Sequence, residues 1–204
     1  MSPLSEEQLM KRRETQRQRI IEAALKVFAV RGLQGTKMSM IAEEAGLSAG
    51  QLYRFFESKE ELFVTLIRQV AEETTRAMES IYNLPGSPFD KIRAFTASTL
   101  KEESAKYPFK MIQHVNTAED APEEAKQLIQ QFSAKRYIEQ LLPLFKEGQQ
   151  TGDFAQGEPR RLISAFLTLL SALITFNMPI DDDHQMPDAD ILMRTIAGPR
   201  TQDR

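Results

Sequence analysis

Between Ser48 and Lys59 the chain carries side chains suited to gripping another polymer rather than to turning over a small substrate. Ala49, Gly50, Gln51, Tyr53 and Arg54 are small, polar or basic, and they are left facing outward once Leu52 and Phe56, four residues apart, turn inward on a helix. Such a set can approach a groove edge closely, offer hydrogen bonds and attract phosphate. The materials for catalysis are thin. There is no Cys, no phosphate-cradling Gly-rich loop, and only two histidines, His114 and His184. His114 lies among Phe109, Met111, Ile112 and Val115, the setting of a hydrogen-bonded core histidine or of a group that orients a ligand's polar atom. His184 follows Asp181-Asp182-Asp183 in a Pro-flanked polar stretch, which reads as a solvated loop before it reads as a hard-metal site. No catalytic residue, metal or cofactor is expected, and the chain is read as not an enzyme.

The outward-facing set needs a frame, and local signals supply one. Gly46 can take the positive-φ position that ends a helix, Leu47 points inward, and Ser48 caps the next helix. Ser48-Ala49-Gly50-Gln51 fits the S-x-x-Q capping box, and Ser58-Lys59-Glu60-Glu61 fits a second one that opens a long helix with Leu62, Phe63, Leu66, Ile67, Val70, Met78 and Ile81 on its apolar side. Upstream, a first helix is expected from about Glu14 to Val30, with Ile21, Ala24, Leu25 and Phe28 inward and Gly32 and Gly35 at its exit. A second begins between Thr36 and Ser39, either of which can cap it. Helix, sharp turn, helix is the layout of a helix-turn-helix, whose second helix lies in the major groove of DNA.

These residues resemble the TetR-type transcriptional regulators. The likeness rests on Ile41-Ala42, Ala45-Gly46-Leu47-Ser48, Gly50, Leu52-Tyr53, Phe56, Ser58-Lys59-Glu60 and Leu62-Phe63, and covers about Arg17 to Val70. It implies DNA contacts by Ser48 at the helix start, by Ala49, Gly50, Gln51 and Arg54 toward the groove, and by Thr36, Lys37, Tyr53 and Lys59 toward phosphates. Gln51 has two competing uses, because the amide that closes the capping box is the one that could read adenine. Phe55 departs from the family, many of whose members carry His or Tyr there; a Phe cannot bond a phosphate. Lys59 opposes its helix dipole, a placement offset by Glu60 and Glu61 or used to hold a phosphate.

Charge is uneven along the 204 residues. The first 60 carry about +2 and the remainder about −5, within a total of −3. The basic excess peaks in Lys11 to Arg19, five basic residues against one acid, equally suited to a solvated helix start and to a reach along the DNA backbone. The start of the chain lacks the apolar run of a signal peptide, and zero Cys suits a reducing cytosol.

Beyond Leu84-Pro85-Gly86-Ser87-Pro88 the pattern stays helical. Helices are expected from about Phe89 to Ser104, broken at Tyr107-Pro108, and from Pro122 to about Gln149 with a kink at Pro143. Leu162 to Met178, seventeen residues with four hydroxyls, is too short to span a bilayer. Its Ser164, Thr168, Ser171 and Thr175 form a small-residue seam, and Phe166, Leu170, Leu173 and Phe176 lie elsewhere around it. The segment is a central core helix or a subunit interface. The resemblance favours the interface, since in the family the last two helices form the dimer, here with a final helix near Asp188 to Ala197. A frayed tail is expected from Gly198.

The expectation is an all-α chain: an N-terminal three-helix helix-turn-helix domain, residues 14–74 with its motif at about 37–56, joined by a long helix to a C-terminal helical bundle, residues 75–204, for effector binding and dimerisation. Phe95, Met111, His114, Phe132, Tyr137 and Phe166 are the effector-lining set, each with core packing as the rival role. The resemblance implies a homodimeric, cytoplasmic repressor on a palindromic operator in double-stranded DNA, released by an apolar small molecule, with no membrane partner. The rival from another class is a helical small-molecule binding protein or enzyme whose N-terminal module binds a partner.

Overall fold

In the computed structural model, residues 5–101, 103–131, 134–175 and 188–199 are described. Their secondary structure is helical apart from one isolated antiparallel bridge between Phe154 and Ala197. The chain divides into two compact units, one made of residues 1–70 with 111–128, the other of 71–110 with 129–204.

In the first unit, helix α1 (Glu6–Arg31) starts eight residues earlier than its apolar pattern suggests. The cause is a third capping box. Ser5 Oγ accepts the Gln8 N–H at 3.3 Å while Gln8 Oε1 accepts the Ser5 N–H at 3.1 Å. The basic run from Lys11 to Arg19 is therefore fully helical. Helices α2 (Met38–Glu44) and α3 (Ala49–Tyr53) follow, with Gly46 between them at φ +65°, a conformation that only glycine adopts without strain. Helix α4 (Lys59–Ser80) begins in this unit, and its residues from Ala71 on belong to the second. The core joins Ile20, Ile21, Ala24 and Phe28 of α1 to Ile41, Leu52, Phe56, Leu62, Phe63, Leu66 and Ile67, all buried. Phe28 and Phe63 meet edge to face at 5.1 Å. Burial of each such large side chain contributes on the order of 2–3 kcal/mol.

Two further segments close this unit: the end of α6 (Glu103–Thr117) and helix α7 (Glu123–Gln131) up to Leu128. Pro108 does not break the helix as expected, because α6 continues through it; a proline interrupts one backbone hydrogen bond of the preceding turn, and the rest of the helix is kept.

The second unit contains the rest of α4, a 3-10 turn at Ile81–Asn83, α5 (Pro88–Lys101), α8 (Ala134–Thr151), α9 (Pro159–Thr175) and α10 (Ala189–Met193). The long helix expected from Pro122 to Gln149 corresponds to α7 and α8, on either side of residues 132–133. Pro143 sits inside α8, which runs as one helix across it. Leu141, Leu144, Phe145, Phe154, Ile163, Phe166, Leu170, Ile174, Leu192 and Met193 build the core. The Phe145 and Phe154 rings stack at 4.4 Å and 3°. The bridge at Phe154 is extended by Ala155 N–H to Ile196 O and Gly198 N–H to Asp153 O, both 2.9 Å, so the chain is still tied down at Gly198, where fraying was expected.

Candidate nucleic-acid interface

Helix α3 is five residues long and owes its existence to its ends. Ser48 sits at φ −75°, ψ 154°; its Oγ accepts the Gln51 N–H at 3.3 Å, and Gln51 Oε1 accepts the Ser48 N–H at 2.9 Å. The Ser48 hydroxyl also donates to Gln51 Oε1 at 3.1 Å. Leu52 is fully buried and Phe56 nearly so, which turns Ala49, Gly50, Gln51, Tyr53 and Arg54 outward, each of them exposed. A Cβ placed on Gly50 would meet no atom of the chain within 4 Å, so internal packing does not require glycine there.

Around this helix, Lys37 is exposed at the start of α2, where no side chain caps the helix. Neither Thr36 nor Ser39 serves as that cap. Thr36 is also a correction to the phosphate set: it is buried, and its hydroxyl donates to Gly32 O at 2.7 Å, holding the exit of α1 instead. Lys59 is half-buried in the first turn of α4. There Ser58 Oγ accepts the Glu61 N–H at 3.0 Å, and the Glu61 carboxylate accepts the Glu57 N–H at 2.6 Å, one residue earlier than a strict capping box would place it.

Sequence reasoning missed how the basic run is used. Arg19 donates to Ala45 O at 3.0 Å, neutralising the end of α2, while the Arg17 and Arg13 guanidiniums lie over the Phe56 and Phe55 rings at 5.6 and 6.0 Å. The spacing of Arg13 and Arg17, one helical turn apart, was visible in the sequence; their aromatic partners, more than 35 positions away, were not.

Residues 20–66 match the family described as bacterial regulatory proteins, tetR family. YhgD of Bacillus subtilis, an uncharacterized HTH-type transcriptional regulator, is 29% identical over 185 residues, covering 88% of this chain and 89% of its own length. The chain is similar to the TetR-family regulators. It is also 24% identical over 153 residues to the fatty acid metabolism regulator protein of Bacillus subtilis, covering 75% of this chain and 78% of that one. A TetR-family regulator from Agrobacterium tumefaciens shares the fold with a TM-score of 0.70 at 14% identity, over 91% of this chain and 99% of that one. These proteins are regulators, and the reading as an enzyme falls away on their likeness.

The expected effector-lining set divides. Met111, fully buried, and His114 belong to the first unit, where His114 Nε2 is 3.1 Å from Ala29 O and its ring packs against Gly32. Phe95, Tyr137 and Phe166 belong to the second, with Phe166 in the core and Phe95 and Tyr137 half-buried against it. Phe132 lies outside the described residues, as do Phe176, Asp181 to Asp183 and His184. The sequence did not single out Gln140. Its Oε1 and the Tyr137 hydroxyl, three positions apart on α8, are buried without a hydrogen-bond partner among the described residues. Burial pushes the Tyr137 phenol pKa up; the Arg136 charge lowers it in part, as does Thr74, which lies near the hydroxyl but outside hydrogen-bond geometry.

The seam on α9 faces outward. Ser164, Thr168 and Ser171 are exposed and Thr175 half-buried, while Ile163, Phe166, Leu170 and Ile174 face the core. Thr168 donates to Ser164 O and Thr175 to Ser171 O, both at 2.8 Å. The final helix expected over Asp188 to Ala197 is the shorter α10, capped by Asp188, with Leu192 and Met193 in the core and Ile191 exposed. No helix among the described residues is long and apolar enough to cross a membrane, and none of their His, Asp and Glu side chains form a group of three able to hold a metal.

Proposed function

We propose that this regulator is a cytoplasmic homodimeric repressor that binds a palindromic operator and leaves it when an apolar small molecule binds. The observation that carries the reading is the outward face of α3: exposed Ala49, Gly50, Gln51, Tyr53 and Arg54 on a helix fixed from behind by Leu52. Lys37 and Lys59, at the starts of α2 and α4, supply charge for phosphates on either side.

Dimerisation is supported by the α9 seam. Its two threonine hydroxyls are already bonded to their own helix, so a second helix can close over those two without leaving them unpaired. Exposed Leu169 and Ile191 add apolar surface. The effector reading draws on the partly buried Phe89, Phe95, Phe109 and Leu162 around the second core, and on the unpaired Tyr137 and Gln140 atoms, which suit the polar end of a largely apolar ligand. A relative that regulates fatty acid metabolism supports an acyl compound as the first to try. The ligand must prefer the conformation whose two heads do not match the operator.

Footprinting on DNA upstream of the gene, repeated with fatty acids and fatty-acyl thioesters present, tests both parts. Protection of a symmetric site that is lost on adding an acyl compound supports them. Protection that no apolar compound relieves removes the effector half and leaves the DNA half standing.

A further inference from the structure

We infer that Arg13, seated on the Phe55 ring, is a phosphate-binding residue of the DNA interface and replaces the contact that Phe55 itself cannot make. The inference rests on the DNA-binding reading above and adds a residue to it. Phe55 is half-buried and follows directly on the outward-facing Tyr53 and Arg54. Its ring has no polar atom, yet the Arg13 carbon Cζ lies over it at 6.0 Å, so a cation stands beside it.

The chemistry of that seat is specific. At that distance the ring attracts the charge without taking a conventional hydrogen bond from it, so the five N–H donors stay available. An arginine held this way is oriented and still has its donors, whereas one paired with a carboxylate has spent both charge and hydrogen bonds. Among the described residues no ion pair is formed by Arg13, and its side chain is exposed. The arginines further along the run are placed differently: Arg19 is committed to Ala45 O, and Arg17 covers the buried Phe56. Lys11 and Arg12 lie along a shallow open groove with Gln8, Thr15, Gln16 and Arg19, away from any aromatic partner that would fix them. The capping box at Ser5 carries α1 past Arg13 by two further turns, so the arginine sits within a formed helix and not at a loose end.

The test uses the full-length protein and a duplex enriched by it from a random pool, with affinity read by fluorescence anisotropy over a range of KCl concentrations. Arg13→Ala is expected to weaken binding several-fold, by the same factor on the enriched duplex and on its single-base variants. It should also lower the slope of log K against log salt by about 0.9, one phosphate contact. Phe55→Leu should give a partial loss that is absent in the Arg13→Ala background. Arg12→Ala, the same charge removed one residue away, should lose less. An unchanged slope in Arg13→Ala overturns the assignment, and so does an equal loss in Arg12→Ala or an additive loss from Phe55→Leu. If the wild type enriches no duplex at all, the DNA-binding reading itself is wrong, a result distinct from each of these.

Discussion

Ser48 and Gln51 exchange hydrogen bonds in both directions, and the exchange decides what Gln51 has left to offer DNA. Its Oε1 accepts from both the backbone N–H and the hydroxyl of Ser48, which leaves the Nε2 amide hydrogens as its outward group. Reading adenine bidentately needs the oxygen as well. In this geometry Gln51 is a donor only, suited to the acceptors on guanine, on thymine O4 or on phosphate. Gln51→Ala is therefore expected to change base preference at one position per half-site, and selection with the variant measures it. A uniform loss over all sequences means that Gln51 only caps. Ser48→Ala should cost about 1 kcal/mol of stability, as lost N-caps do, read by denaturant titration.

Gly50 separates folding from binding. Its Cβ position is open on the protein side, and alanine is worth up to about 1 kcal/mol more than glycine in a helix. Gly50→Ala should hold or raise the melting temperature and still weaken operator binding by about tenfold or more, roughly 1.4 kcal/mol, because the added methyl meets the groove. A variant that binds as well as wild type would place DNA elsewhere.

The helix-turn-helix was legible because its signals are local. Gly46, Ser48 to Gln51 and Ser58 to Glu61 state their backbone roles within four residues; the first two hold those roles, and Ser58 caps α4 while Glu61 closes on the Glu57 N–H. Ser5 to Gln8 carried the same signal and sets the start of α1. Pro108 misled, since a helix can absorb a proline's lost hydrogen bond and ring clash and run on, as α6 does; Pro143 sits inside its helix as expected. Met111 and Val115 announced burial through their spacing, but periodicity does not say against what, and both fall in the first unit. Thr36 looked like a surface hydroxyl because its acceptor, Gly32 O, is a backbone atom that no side-chain pattern reveals.

Gly148 is a packing requirement of the second unit. A Cβ there would stand 2.2 Å from Phe154 Cδ2, and Phe154 is fully buried against the Phe145 ring. Gly148→Ala should destabilise by about 1–3 kcal/mol through overpacking, despite the better helix propensity. Denaturant unfolding followed by circular dichroism measures the change; an unaltered midpoint would mean that Phe154 can move aside.

Tyr137→Phe removes a buried hydroxyl that has no partner. Loss of an unsatisfied polar group leaves stability unchanged or raises it by about 1 kcal/mol. If that hydroxyl meets the polar end of an effector, the same variant needs a higher acyl-compound concentration for release from DNA. A variant less stable than wild type would show that the hydroxyl is bonded in the free protein.

A two-fold dimer that reads DNA through α3 needs a symmetric site. Sequencing the duplexes that the full-length protein enriches from a random pool reveals whether it has one. Two inverted half-sites are expected, with centres one helical turn of DNA apart, ~34 Å, or a multiple of it. Enrichment of a single asymmetric element, or of nothing, would contradict this reading.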